Sequence, residues 1–192
     1  MSISKTYISA QQLLDDSYQL GLQILDSGFI PDIIIGVWRG GTPVAIAVHE
    51  LLDYFDIKSD HIAIRTSLYS GIEQRKGSVS VDGLAYVAEN ISAKESILIV
   101  DDVFDTGLSV KQVVDDLHSL CVGNTPIIKI ATPYFKPANN KTDKNPDYYL
   151  HSTDKWLVFP HELTGLSTRE ILDNKPGINS LRAKLQQQLA SE

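Results

Sequence analysis

Cysteine is almost missing from this chain, with Cys121 alone among 192 residues. One thiol precludes an intrachain disulfide framework and suits a reducing compartment. Residues 1–30 carry no apolar signal-peptide segment, so a cytoplasmic location is expected. No apolar run approaches the length that crosses a bilayer, which argues against a membrane partner. Basic residues are outnumbered 17 to 24, leaving a net charge of −7. Nucleic-acid backbones demand clustered Lys and Arg, so nucleic acid is not expected as the main partner. Repeats, heptads and linkers between independent domains are absent too. Hydrophobic and charged fractions of 43% and 21% are those of a globular chain able to bury a core. Two common phosphate motifs are also missing. There is no Gly-x-x-x-x-Gly-Lys-Ser/Thr loop, and Asp102 and Asp105 stand three apart where an Asp-x-Asp motif needs two.

What is present centres on residues 97–110. Ile97, Leu98, Ile99 and Val100 read as a strand buried on both faces, the kind found in parallel sheets. Asp101, Asp102 and Asp105 come next, and Thr106-Gly107-Leu108-Ser109 opens a helical pattern. A strand that ends in carboxylates and turns through Gly into a helix lies where open α/β sheets bind ligands. Main-chain N–H groups at the helix start, with the Thr106 and Ser109 hydroxyls, suit an anion such as phosphate. Ionised Asp101 and Asp102 accept hydrogen bonds only, so they suit a vicinal diol. Phosphate on one side and a diol on the other describe a ribose 5-phosphate. The plainer reading is a helix capped by Asp105 or Thr106.

Around this centre, strands and helices alternate. Ser9 with Gln12 starts a helix that carries Leu13, Leu14, Tyr18, Leu22 and Leu25 to Gly28. Residues 33–37 form a second buried strand, and Thr42-Pro43 opens a helix striped by Val44, Val48, Leu51, Leu52 and Phe55. His61 to Arg65 reads as a third strand, residues 66–83 as a long polar loop, and Leu84 to Ala88 as a further strand. A helix comes after the 97–107 segment, with Val110, Val113, Val114, Leu117, Leu120 and a core Cys121. Then come a buried strand at 127–132, a polar surface loop at 137–147, and short strands at 148–150 and 156–159. Two C-terminal helices complete the chain, the first starting at Ser167 and the second carrying Leu181, Leu185 and Leu189. The pattern predicts an α/β domain with an open, mainly parallel sheet flanked by helices.

The string of a hydrophobic strand, Asp101-Asp102, two variable residues and Asp105-Thr106-Gly107 resembles the phosphoribosyl diphosphate (PRPP) signature of type I phosphoribosyltransferases. Arg39-Gly40-Gly41 and the segment from Pro146 to Glu162 resemble the hypoxanthine, guanine and xanthine (6-oxopurine) members in order and spacing. The resemblance implies a five-stranded, mainly parallel sheet in a single domain over 1–192. It also implies a mobile loop at about 66–83 and a small hood made from the N- and C-terminal segments. Asp101 and Asp102 would bind the ribose, and Asp105, Thr106, Gly107, Leu108 and Ser109 the 5-phosphate. Arg39, Gly40 and Gly41 would bind the diphosphate, with Arg75 and Lys76 as further candidates, and the Trp38–Arg39 peptide would be cis. Trp156 would stack on the base, Leu157 would meet its exocyclic edge, and Lys136, favoured over Lys129, would donate to O6. Asp105 would be the general base. Mg²⁺ would bind chiefly through substrate oxygens, with Glu162, or His161 beside it, as a weaker protein ligand.

The activity implied is transfer of the 5-phosphoribosyl group from PRPP to N9 of hypoxanthine, guanine or xanthine in purine salvage, with diphosphate leaving. A homo-oligomer, dimer or tetramer, is implied with it. Two alternatives stand beside this reading: a PRPP-sensing regulatory protein, and a transferase for another base.

Overall fold

The structure is a computed structural model that describes residues 4–68 and 79–191. Its elements run β1 (Lys5–Tyr7), α1 (Ala10–Asp26), β2 (Ile33–Trp38), α2 (Gly41–Tyr54), β3 (Asp60–Leu68), β4 (Val79–Asp82), α3 (Leu84–Asn90) and β5 (Ser96–Val100). They continue with β6 (Val103–Phe104), α4 (Leu108–Leu120), β7 (Ile127–Phe135), β8 (Tyr148–Ser152), β9 (Trp156–Val158), α5 (Thr168–Asn174) and α6 (Asn179–Ser191). A 3-10 turn, Pro137–Asn139, comes after β7. The chain divides into two compact units, Asp16–Asp154 and the pair of end segments Met1–Asp15 with Lys155–Glu192.

In the larger unit the sheet has the order β4-β3-β2-β5-β7-β6, with β8 also on β7. Only the β3–β4 pairing is antiparallel. The sheet is mainly parallel, as expected, but has seven strands rather than five. The short strands β6 and β8 both pair with β7 beyond the long apolar runs that the sequence pattern detects. β5 is buried along its whole length, which is why its sequence is apolar without alternation. Ile33, Ile35, Val37, Ile97 and Ile99 pack on one face with Val87 of α3 and Val113, Val114 and Leu117 of α4. Cys121 lies buried in this core. On α2, Val44, Val48 and Leu52 are fully buried, whereas Phe55 is half exposed. Asp16 is buried too, and its carboxylate is satisfied by Tyr134 Oη at 2.7 Å and His151 Nε2 at 2.9 Å.

Four local expectations change. Leu84 to Ala88 belongs to helix α3, because Leu84 and Val87 bury at helical spacing behind a left-handed Gly83. α2 starts earlier than Thr42-Pro43: Gly40 is its N-cap, and Gly41 and Thr42 lie inside its first turn. The buried stripe of α1 is carried by Leu13, Leu20 and Ile24, while Leu14, Tyr18 and Leu22 are each about 40% exposed. Within the expected polar loop at 66–83, Arg65 to Leu68 pairs antiparallel with Val79 to Asp82, and residues 69–78 lie outside the described residues.

In the smaller unit, β1 and β9 pair in parallel, with Lys5 opposite Trp156 and Thr6 opposite Leu157. A complete capping box at Ser167 and Glu170 starts α5. Lys5 Nζ also binds Glu170 Oε1 at 2.5 Å. α6 has no buried residue, so Leu181, Leu185 and Leu189 do not form a core stripe. Among the described residues, no helix is long and apolar enough to cross a membrane.

Candidate active site

From β2 the chain crosses through α2 to β3 on one side; from β5 it crosses through α4 to β7 on the other. The strand order therefore reverses between β2 and β5, and a crevice opens outside the carboxyl ends of such a pair. Arg39-Gly40-Gly41 leaves one strand there and Asp101-Asp102 leaves its neighbour.

The two segments touch so closely that only glycine fits. A Cβ on Gly40 would lie 2.0 Å from Asp102 Oδ2, and one on Gly41 would lie 2.4 Å from the Val100 carbonyl oxygen. The Trp38–Arg39 peptide is cis. Trp38 and Arg39 are exposed.

Asp101 accepts the Asp102 N–H at 2.9 Å and the Gly41 N–H. Burial first, and the neighbouring Asp102 charge second, push its carboxyl well above the usual carboxylate range. Asp102 is itself 8% exposed. The two acids thus form a close pair on which an added positive charge would be stabilised.

Past β6, Asp105 and Thr106 lead to Gly107, which adopts the left-handed region (φ 73°) and caps α4 without a side-chain hydrogen bond. A Cβ there would lie 2.6 Å from the Phe104 ring. Asp105 does not cap the helix. Its Oδ2 accepts from Lys136 Nζ and its Oδ1 from Asn139 Nδ2, each at 2.8 Å. Thr106, Leu108 and Ser109 surround the helix start and are part-exposed, so the first turn of α4 is open to an anion.

The two candidate lysines separate clearly. Lys129 lies within β7 and pairs with Asp147 at 2.8 Å, whereas Lys136 is buried just beyond the strand and reaches Asp105. Lys136 N–H donates to the Phe104 carbonyl at 2.9 Å, which fixes it beside the 104–107 loop.

The remaining candidates belong to the smaller unit or lie outside the described residues. Trp156 and Leu157 belong to the smaller unit, Trp156 being 53% exposed and Leu157 buried on β9. Glu162 Oε2 accepts the Phe159 N–H at 2.9 Å and so closes its own turn; His161 stacks on Phe159. Lys175, buried in the same unit, donates to the Phe159 carbonyl at 2.7 Å, and burial lowers the pKa of its ammonium. Arg75 and Lys76 lie outside the described residues. Asn139 was not among the expected site residues. The only signal for it is Pro137 immediately after Lys136, which marks a turn at a strand end.

The chain matches the model of the phosphoribosyl transferase domain over residues 5–165. It is 25% identical over 189 residues to the hypoxanthine-guanine phosphoribosyltransferase of Lactococcus lactis subsp. lactis (strain IL1403), covering 96% of this chain and 94% of that one. The enzyme of the same name from Streptococcus pyogenes serotype M3 is 28% identical over 184 residues, with 95% and 96% covered. Among solved structures, the purine phosphoribosyltransferase of Pyrococcus horikoshii is similar with a TM-score of 0.63 and 31% identity, covering 84% of this chain and 97% of that chain. With the acid pair, the glycine pair and the open helix start on one sheet edge, the chain belongs to the phosphoribosyl transferase family.

Proposed function

We propose that this protein transfers the 5-phosphoribosyl group from PRPP to N9 of a 6-oxopurine and releases diphosphate. The observation that carries this reading is the contact between Lys136 and Asp105 beside the open start of α4. A lysine ammonium only donates and a carboxylate only accepts. Side by side they match the O6 acceptor and the imidazole N–H donor on one edge of hypoxanthine, guanine or xanthine. Adenine presents an amino donor in place of O6 and would face the ammonium unfavourably. The names of the similar enzymes from Lactococcus lactis and Streptococcus pyogenes support the same substrate class.

In this reading the 5-phosphate sits on residues 105–109, and diphosphate on Arg39, Gly40 and Gly41. As the anomeric bond breaks, positive charge grows on the ribose ring. Asp101 and Asp102, which hold its hydroxyls, oppose that charge at short range. Asp105 takes the proton from the base. Trp156 and Leu157 are assigned to the base by the resemblance, and the exposed indole face suits stacking. The hood is assigned by the resemblance to the N- and C-terminal segments; both chain ends contribute to the smaller unit.

The residues also fit Mg²⁺. The described residues include no cluster of three or more His, Cys, Asp or Glu, but Asp101 and Asp102 lie beside Gly40 and Gly41. That donor set suits an ion that Asp101 and Asp102 would hold together with substrate oxygens; Glu162 is already engaged in its turn. When bound, the ion neutralises the leaving diphosphate.

Diphosphate release measured with PRPP, Mg²⁺ and a panel of hypoxanthine, guanine, xanthine, adenine and uracil tests the proposal. Release is expected with at least one 6-oxopurine and not with adenine. No release with any base, together with tight PRPP binding, would favour a PRPP-sensing regulator. In a cell the activity belongs to cytoplasmic purine salvage, and a dimer or tetramer is the assembly in keeping with the resemblance.

A further inference from the structure

Asp105 is gripped by a single short stretch of chain. Both donors to its carboxylate, Lys136 Nζ and Asn139 Nδ2, come from the 3-10 turn after β7 and the residue that opens it. The turn is closed by the Asn139 N–H donating to the Lys136 carbonyl at 3.1 Å. It is tied to the main chain on both sides of Asp105. Lys136 N–H donates to Phe104 O at 2.9 Å, and Lys141 N–H donates to Thr106 O at 3.0 Å. Asn140 stiffens the adjoining residues 142–144, accepting from Thr142 N–H and Oγ1 and donating to the Lys144 carbonyl. The polar stretch that composition alone marks as a surface loop is therefore a brace on the 104–107 loop.

The two donors differ in kind. Lys136 is a buried cation, whereas Asn139 is an exposed neutral amide. An amide orients a carboxylate oxygen while leaving the negative charge largely uncompensated, whereas a second cation there would weaken it as a proton acceptor.

We propose that Asn139 is a positioning residue for Asp105. It holds Oδ1 throughout the reaction, while Lys136 leaves Oδ2 for the O6 of the incoming base. Oδ2 is thereby uncovered at the moment the base presents its N–H. The step moves one proton from the imidazole nitrogen to Oδ2, and the nitrogen lone pair at N9 forms the bond to the anomeric carbon as diphosphate departs. This inference rests on the reading of Asp105 as the proton acceptor.

The test is a double-mutant cycle by steady-state kinetics on the full chain, with PRPP, Mg²⁺ and the best base from the panel. Asn139→Ala is expected to lower kcat about tenfold, because a misdirected acceptor slows the chemical step. The KM for PRPP should stay within about twofold of wild type, and the melting temperature should be unchanged. In an Asp105→Asn background the same substitution should cost nothing further, since the group it positions is gone. Asn139→Leu, which keeps the approximate size and removes the donor without adding a charge beside Asp105, carries the same expectation if the alanine variant does not fold. Wild-type kcat in both Asn139 variants, or an equal loss with and without Asp105, would overturn the inference. Wild-type turnover in Asp105→Asn alone would instead overturn the proton-acceptor reading beneath it.

Discussion

Gly40 and Asp102 lie so close that a methyl group on the glycine would fall 2.0 Å from the carboxylate Oδ2. The residues come from the ends of neighbouring parallel strands and are far apart in the chain. Their contact joins the two sides of the crevice.

Gly40→Ala should therefore act on the site and not on the core. The new Cβ pushes against the buried Asp102 carboxylate, which has to shift from its place beside Asp101. A displacement of this size, about 1 Å, costs on the order of 100-fold in kcat/KM for PRPP. Steady-state kinetics check the loss, and a thermal melt within a few degrees of wild type checks that the fold is retained.

Gly107→Ala should be costly for stability as well. Its φ of 73° is one that residues with a Cβ rarely adopt, and the new atom would meet the Phe104 ring at 2.6 Å. Left-handed backbone costs about 1 kcal/mol and overpacking about 1–3 kcal/mol, so a loss of roughly 2–4 kcal/mol is expected in urea unfolding.

Asp101 gives the site a dependence on pH. Burial and the neighbouring Asp102 raise its pKa, so it ionises at a higher pH than an ordinary aspartate. Mg²⁺ or a growing positive charge favours the ionised form, so binding of Mg²⁺–PRPP should release protons. Affinity should fall as pH drops through the raised range. Calorimetry in buffers of different ionisation enthalpy reads the release directly, and Asp101→Asn should abolish it.

A second pH effect is confined to the smaller unit. The Lys5 ammonium, and then the Ser167 donors, lower the Glu170 carboxyl from 4.5 to about 2. A depressed acid contributes stability above its unfolded pKa and loses it as pH falls through the folded one. The wild-type melting temperature should therefore approach that of Glu170→Gln as pH drops from about 4.5 to about 2. A gap between the two that stays constant over this range would contradict the assignment.

The residue string alone is enough to place the buried strands β2 and β5, the acids that end one of them and the glycines that end the other. Those features are local: four or five apolar residues in a row, a charged strand end and a Gly turn each show in a window of about ten residues. Thr-Pro is a strong local helix opener and so points to a late start for α2, while the packing of Gly40 and Gly41 against Asp101-Asp102 begins the helix earlier. The segment at 84–88 reads as strand but folds as helix, because a short apolar run has no period long enough to separate the two. What only the tertiary structure decided is pairing across the chain. Lys136 and Lys129 are equivalent as residue types, but one is carried past the end of β7 to Asp105 while the other is held by Asp147. Asn139 has no marker of its own, because its function comes from a carboxylate 34 residues away. Hydrophobic period reports which face is buried; it does not report which polar group waits at the other side of a crevice.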